Sequence, residues 1–356
     1  MIRLPVSIGE GLDKLTILDI KVQKIQDAEK KAHCQYEYDL LWNELKEYVS
    51  SCEFYYNRLR DINLQIWEMQ DDIRSRPDPR KCVDILDKND MRFRIKNILN
   101  QTAGSAIQEQ KGYPTRRALF IGHMGLGDHI GLIGAVRYVA TQYDETVVVC
   151  KSRNAENVAS FFADNSTIKL WIVNNPYVRD PGDTWAGEAV LFDPTMYAAV
   201  YRSGFYAHPR EGFDDLPKNF YRDMKIDPSI RHTYFHVPIT PGARELFEHV
   251  RDVPYIFVQQ TSSSHSTELV TWDINTILTI DPNTNLYPEH HEWYVLAQRF
   301  VNQKFIDYTL VLQNAKEVHS VDSSFYCLAC YLPLKAEIKR CYSRETGAFI
   351  ATYDFT

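Results

Sequence analysis

Residues 116–131 read Arg-Arg-Ala-Leu-Phe-Ile-Gly-His-Met-Gly-Leu-Gly-Asp-His-Ile-Gly. Ala118 to Ile121 is a short apolar run of strand type, and Gly122, Gly125 and Gly127 make a glycine turn. Ile130, Ile133, Val136 and Ala140 then recur at the spacing of a helix laid on a sheet. Glycines let a backbone turn sharply and approach a ligand closely. A helix N-terminus offers free N–H groups and partial positive charge to an anion such as a phosphate. Asp128 sits where this helix begins. An Asp there is either an N-cap or a catalytic base on the rim of a ligand site, and the local pattern leaves both open.

Downstream, strands and helices alternate. Thr146 to Cys150 is a buried-type β run, Asn154 to Phe162 is helical, Ile168 to Val173 is a strand and Ala189 to Phe192 a fourth. Such alternation predicts a parallel sheet wound with helices. Ligands of such sheets lie beyond the carboxyl ends of the strands. The turn 122–128, Lys151-Ser152-Arg153 and Asp193 would then share one rim. Arg202, His208, Arg210, Asp214 and Asp215 follow in a loop-rich stretch among Tyr201, Phe205, Tyr206, Phe213, Phe220 and Tyr221. Aromatics beside charged groups suit sugar or nucleobase stacking, and equally a domain interface.

The design repeats further on. Pro238 to Pro241 reads as a hinge, Ala243 to Val250 as a helix and Tyr255 to Gln259 as a strand. Gln260, Thr261, Ser262, Ser263, Ser264 and His265 follow directly. Hydroxyls and backbone N–H groups at a strand end form either a phosphate cradle or a solvated loop. Thr276 to Ile280 is a further strand, and His290 to Phe300 and Phe305 to Asn314 read as helices. Glu317 to Ser320 is a short strand, after which Asp322, Ser323 and Ser324 cap a helix from Phe325 to Leu332. Two such halves facing each other would form a cleft, with an anion site on the second.

The first 105 residues differ. Ser7-Ile8-Gly9-Glu10 matches a capping box. Leu41, Leu45, Tyr48, Cys52, Tyr55, Leu59, Ile62, Ile66, Met69 and Ile73 step by four and three, a coiled-coil seam. Arg76-Pro77-Asp78-Pro79 stops that helix, and a third runs from Lys81 to Asn100. The expectation is an antiparallel helical hairpin with a third helix packed on it, a packing arm that could also pair two chains.

Composition narrows the class. The 356 residues suit two or three domains, and 44% hydrophobic with 24% charged is a globular balance. A net charge of −7 without a dense basic block argues against nucleic acid as partner. The seven cysteines are scattered. Cys327 and Cys330 fall in an apolar helix-like run and read as core, which points to a reducing, cytoplasmic setting rather than a zinc site. No apolar run reaches the roughly 18–20 residues that would span a membrane.

Two resemblances extend this reading. Pro5 to Glu10, Asp13 to Leu18 and Ile20-Lys21, with Trp67-Glu68, Asn89-Asp90, Arg92 and Lys96-Asn97, resemble a small bacterial helical family of unassigned function. That match implies a fold, in which Glu10, Asp13, Lys14, Glu68, Asp90 and Arg92 form a buried polar network or line a small site. The turn Gly125-Leu126-Gly127-Asp128 on its βα unit resembles that of the GT-B glycosyltransferases, most nearly the heptosyltransferase-like branch. The resemblance spans roughly residues 115–340. It implies Asp128 as general base, and Gln259 to Ser263 with Val321 to Ser324 as the seat of the nucleotide diphosphate.

The expectation is therefore an α/β chain of two Rossmann-like lobes of GT-B type behind a helical domain. The divisions fall at 1–105 (helical), 112–237 (acceptor side) and 238–356 (nucleotide-sugar side). The expected activity is transfer of a sugar from a nucleotide-sugar to a glycan or other hydroxyl acceptor, inverting and metal-independent, with no further cofactor. Asp128 and His129 are the candidate catalytic residues, with His123 as a further base. Gly125, Gly127, Gln260, Thr261, Ser262, Ser263, Asp322, Ser323, Ser324 and Arg202 are the candidates for the donor and its phosphates. No lysine follows the 259–266 turn closely, so Arg202, Arg210 or Lys151 would have to supply the cation. One alternative is a nucleotide- or sugar-binding module without catalysis. Another is an NAD(P)-dependent oxidoreductase, against which stand the order of the glycines and Lys151 in place of a ribose-binding acid.

Overall fold

The computed structural model describes residues 5–76, 78–110, 112, 115–123, 125–173, 192–203, 215–262 and 265–352, the side chains of 215–217 excepted. Four helices open the chain: α1 (Ile8–Lys24), α2 (Ala28–Ser51), α3 (Glu53–Ser75) and α4 (Pro79–Thr102). Ser7 caps α1 by accepting the Glu10 N–H at 3.1 Å, while the Glu10 carboxylate is engaged by Lys96 at 2.8 Å. The expected single seam is instead two helices. It breaks at Cys52, whose φ of −123° and ψ of 26° lie outside helical space. Ahead of the break α2 packs on α1; beyond it α3 packs on α4 and α1. The seam is buried in its middle, at Cys52, Tyr55, Leu59, Ile62 and Ile66, and runs out at its ends. Asp78 starts α4 by accepting the Arg80 N–H at 2.9 Å; Pro77 lies outside the described residues.

Of the polar residues expected to form a network here, Asp13 is the buried centre. It accepts from Arg92 Nε and Asn63 Nδ2, both at 2.8 Å. Lys14 and Glu68 belong to surface pairs with Glu37 and Lys24.

The first lobe contains β1 (Arg117–Ile121), α5 (Leu126–Ala140), β2 (Glu145–Lys151), α6 (Ala155–Phe161), β3 (Ile168–Val173) and β4 (Ala199–Arg202). Its sheet is parallel in the order β3-β2-β1-β4, with Phe120 opposite Val148 on one side and Tyr201 on the other. The strand expected at Ala189–Phe192 is not the fourth strand seen, which is Ala199–Arg202; residues 189–191 lie outside the described residues. Two helices that sequence pattern did not reveal, α7 (Asp215–Asp223) and α8 (Ile230–Thr233), close the lobe against α5.

The second lobe contains α9 (Pro241–Glu248), β5 (Tyr255–Gln259), β6 (Leu278–Ile280), α10 (Tyr294–Gln298), α11 (Thr309–Asn314), β7 (Glu317–Val321), α12 (Ser324–Ala329), β8 (Ile338–Tyr342) and β9 (Phe349–Thr352). The sheet order is β6-β5-β7-β8-β9, parallel except for β9. All five residues of β5 are buried, as a central parallel strand requires. In β8 only Cys341 is buried, so Ile-Lys-Arg-Cys-Tyr carries no alternation to read. The helices expected at 290–300 and 325–332 are shorter than expected, and that at 305–314 begins as a 3-10 turn. Among the described residues no helix is long and apolar enough to cross a membrane.

One apolar core runs through both lobes, with Phe161 6.1 Å from Phe305 and Phe305 4.6 Å from Phe325. Beside it lies a fully buried cation. Arg137 on α5 donates from Nε to the His236 carbonyl at 2.7 Å, from one amino group to the Phe161 carbonyl and Asp164 Oδ1 at 2.7 Å, and from the other to the Tyr55 hydroxyl and Asp164 Oδ2. Asn165 also donates to the Tyr55 hydroxyl, at 3.0 Å, and Phe54 stacks on His236 with ring centroids 4.5 Å apart. These contacts fold the helical domain onto its own first lobe.

Arg137→Met should lower stability by about 3–5 kcal/mol, because it strands the Asp164 carboxylate in the interior; an unchanged urea midpoint at pH 7 would contradict this. Burial alone would raise the Asp164 carboxyl, but the Arg137 guanidinium and hydrogen bonds from Arg137 and His236 hold it at about 2. The folded value lies below the unfolded one, so its contribution is complete above pH ~4 and is lost as pH falls towards 2. The variant should lack that acid-dependent component.

Candidate functional site

A cleft of 1180 Å³ separates the lobes. It forms because the switch points of the two sheets, between β1 and β4 and between β5 and β7, present their carboxyl-end turns to each other. Gly125, Gly127, Asp128, Thr261, Ser262, Asp322, Ser323 and Ser324 all line it, as the sequence led us to expect. Arg153, Lys218, Arg231, Lys304 and Arg344 line it as well.

None of the glycines in the first turn has a positive φ; Gly125 sits at −70° as the N-cap of α5. Their role is close approach. A Cβ on Gly127 would stand 3.0 Å from Cys327 Sγ, so α5 and α12 cross here at a distance that a side chain would force them to yield. A Cβ on Gly125 would stand 2.7 Å from Asp128 Oδ2. The Asp128 carboxylate thus lies back over the bare N-cap. Asp128 is the third residue of α5, so the N-cap reading of it falls. An acid in a helix's first turn is still favoured by the helix dipole. His123 Nδ1 is 3.9 Å from Asp128 Oδ2, and its ring is tilted against Phe220.

Three expected residues lie elsewhere. His129 is one position beyond Asp128, about 100° round the helix, and is 4% exposed within the core, with no partner for Nε2 among the described residues. Burial pushes its imidazole down to about 4, so it is neutral and does not face the cleft. Gln260 also turns away, because side chains alternate beyond a strand. It donates to Asp281 Oδ2 at 3.2 Å and accepts the Leu269 N–H at 2.7 Å, pinning the following loop. Gln259 takes the cleft position instead. Its Oε1 accepts the Ser323 hydroxyl at 2.8 Å and its amide donates to the Thr261 carbonyl, tying the turns after β5 and β7 together. Arg202 ends the edge strand β4 with its guanidinium 5.6 Å from the Phe192 ring centroid, away from the cleft lining. Ser263, Ser264, His208, Arg210 and Asp214 lie outside the described residues.

Among the described residues three carboxylates line the cleft. Asp322 accepts from Arg344 N at 2.7 Å and Nε at 3.1 Å. Glu156 pairs with Lys304 at 3.2 Å, joining the lobes at one end. Such an exposed pair contributes at most about 1 kcal/mol and opens readily. Asp128 stands on the first lobe's lip, facing the hydroxyl-bearing turns. Among the described residues no three His, Cys, Asp or Glu side chains gather to hold a metal ion.

Neither a sequence-family model nor a curated protein matches the chain. Among solved structures it is similar to the iron-containing dodecameric glycosyltransferase TibC of enterotoxigenic E. coli, at 14% identity over 66% of this chain, with a TM-score of 0.38. It is similar to TibC in complex with ADP-D-β-D-heptose at 13% identity over 67% of this chain, TM-score 0.37. It is also similar to a family 9 glycosyl transferase of Veillonella parvula, at 9% identity over 66% of this chain and 89% of that one, TM-score 0.39. The chain spans 61% of the length of TibC.

The buried, neutral His129 sets a pH dependence. Its folded value lies below the unfolded value of 6.5, so the unfolded chain takes up a proton that the folded chain refuses. Stability should fall by about 3 kcal/mol as pH drops from 6.5 to 4. His129→Leu, measured by urea unfolding at pH 7 and pH 4.5, should lose this component. An equal pH slope in both proteins would overturn the assignment.

Proposed function

We propose that this chain is a glycosyltransferase that moves a sugar from a nucleotide-sugar to a hydroxyl acceptor by inverting displacement, with Asp128 as general base. The observation that carries the reading is the Asp128 carboxylate on the lip of the first lobe, across one cleft from Gln259, Thr261, Ser262, Ser323 and Ser324 on the second. A base and an anion seat on facing rims match what the reaction needs.

In the step itself, Asp128 removes the proton of the acceptor hydroxyl as its oxygen bonds to the anomeric carbon. The bond from that carbon to the donor's phosphate oxygen breaks, and its electron pair stays on the leaving nucleoside diphosphate. A carboxylate can serve within hydrogen-bond reach, ~2.6–3.2 Å, of the hydroxyl. Donors aimed at the developing phosphate charge stabilise the transition state. The nucleotide-sugar is substrate, and the reading invokes no resident cofactor or metal.

A thermal-shift screen of nucleoside diphosphates and their sugars should find one base that stabilises the protein. With that donor, Asp128→Asn should bind unchanged and release nucleoside diphosphate more slowly by about 10²–10⁴-fold. Turnover near wild type would remove Asp128 as base. Tight donor binding by the wild type without transfer or hydrolysis would favour the binding module.

A further inference from the structure

The diphosphate of a nucleotide-sugar carries two negative charges, and the proposed reaction adds a further one that the second lobe must hold. On that lobe the hydroxyl of Ser323, the N-cap of α12, is already donated to Gln259. Of the cations expected from sequence, Arg202 lies outside the cleft lining. Lys304 stands at the far end, engaged with Glu156.

Arg344 is different. It lies in the turn between β8 and β9, beside the Thr261–Ser262 and Ser323–Ser324 turns, and lines the cleft. Three contacts fix it. Its backbone N–H and its Nε both donate to Asp322 Oδ1, at 2.7 and 3.1 Å, and its carbonyl accepts the Thr267 hydroxyl at 2.9 Å. Gly347, at φ +69°, lets the turn close so that its N–H reaches the Ser343 carbonyl at 2.9 Å. Asp322 engages only Nε of the guanidinium. The two terminal amino groups have no hydrogen bond among the described residues, and the side chain is 38% exposed. A guanidinium held by Nε presents those two groups as a fork, the geometry that matches phosphate oxygens. Holding an arginine in place before the ligand arrives also lowers the ordering cost of binding. The Cys327 thiol, raised chiefly by burial, feels the charges of Asp128, Arg344 and Asp322 together. Asp128 and Arg344 both line the cleft.

We propose that Arg344 binds the donor's diphosphate and that Asp322 is its positioning residue. The assignment rests on the glycosyltransferase reading and supplies the cation that the 259–266 turn lacks.

The test is calorimetric titration with ADP, UDP, GDP, CDP and dTDP and the five parent nucleosides, on wild type, Arg344→Ala, Arg344→Lys and Asp322→Asn. The readout is the ratio of nucleoside to diphosphate Kd. Wild type should prefer one diphosphate over its nucleoside. Arg344→Ala should cut that preference by about 10–100-fold and leave nucleoside affinity unchanged. Arg344→Lys, which keeps the charge without the fork, should fall between them and carries the test if the alanine variant does not fold. Asp322→Asn removes a negative charge, so bulk electrostatics would tighten the diphosphate; a positioning role weakens it, by about 3–10-fold. A wild type that binds none of the nucleotides would overturn the glycosyltransferase reading. A wild type that prefers the diphosphate, with the preference intact in both Arg344 variants, would overturn the Arg344 assignment alone.

Discussion

The arrangement depends on the buried guanidinium of Arg137. A charge this deep is tolerable only when its donors are satisfied and its counter-charge is close. Here the acceptors come from three parts of the chain: Tyr55 from the helical domain, Phe161 and Asp164 from the first lobe, and His236 from the segment leading to the second. Because one rigid group satisfies all of them, each part is fixed relative to α5. The same helix carries Asp128 at its other end, so the lip of the cleft is referenced to the whole molecule through one element.

Close approach is the second constraint. Gly127 lets α5 lie against α12, and Gly134 lets α8 do the same, since a Cβ there would meet the Arg231 carbonyl oxygen at 2.7 Å. Only the first of these two approaches crosses between the lobes, where α5 meets α12. The lobes share one apolar core behind that crossing and join at one end of the cleft through the exposed Lys304–Glu156 pair. Asp128 thereby stands on one wall of the cleft, and the hydroxyls and the pinned arginine on the other. That separation of proton acceptor from anion seat is the chemical logic of the proposed transfer.

The helical domain acquires a clear role as a support. Its third and fourth helices dock on the first lobe through Tyr55 and through Arg94, which donates to Asp144 at 3.0 Å. A further polar centre, Asp13 with Arg92 and Asn63, is satisfied internally and holds α1 to its neighbours.

What the sequence alone determined was local. Apolar runs bounded by glycine and polar turns identified β1, β2 and β5, since a parallel strand buried on both faces must be continuously apolar; β3, β6 and β7 were also placed, β3 although only one of its residues is buried and β7 although it carries Glu317, His319 and Ser320. The same logic put Asp128 and the 259–262 and 322–324 turns at carboxyl ends of strands. It failed where no period exists to be read: at β8, where one residue is buried, and at the Cys52 break, where the heptad steps continue through the bend. It also failed one residue at a time, at His129 and Gln260, because their neighbours in sequence face the cleft while they face the core. Only the tertiary structure decided which cations meet the cleft. Arg344 comes to the β5 and β7 turns through the pairing of β8 with β7, and its orientation is fixed by Asp322, 22 positions earlier. Charges carry no periodic signature along a chain, and long-range pairing is what places them.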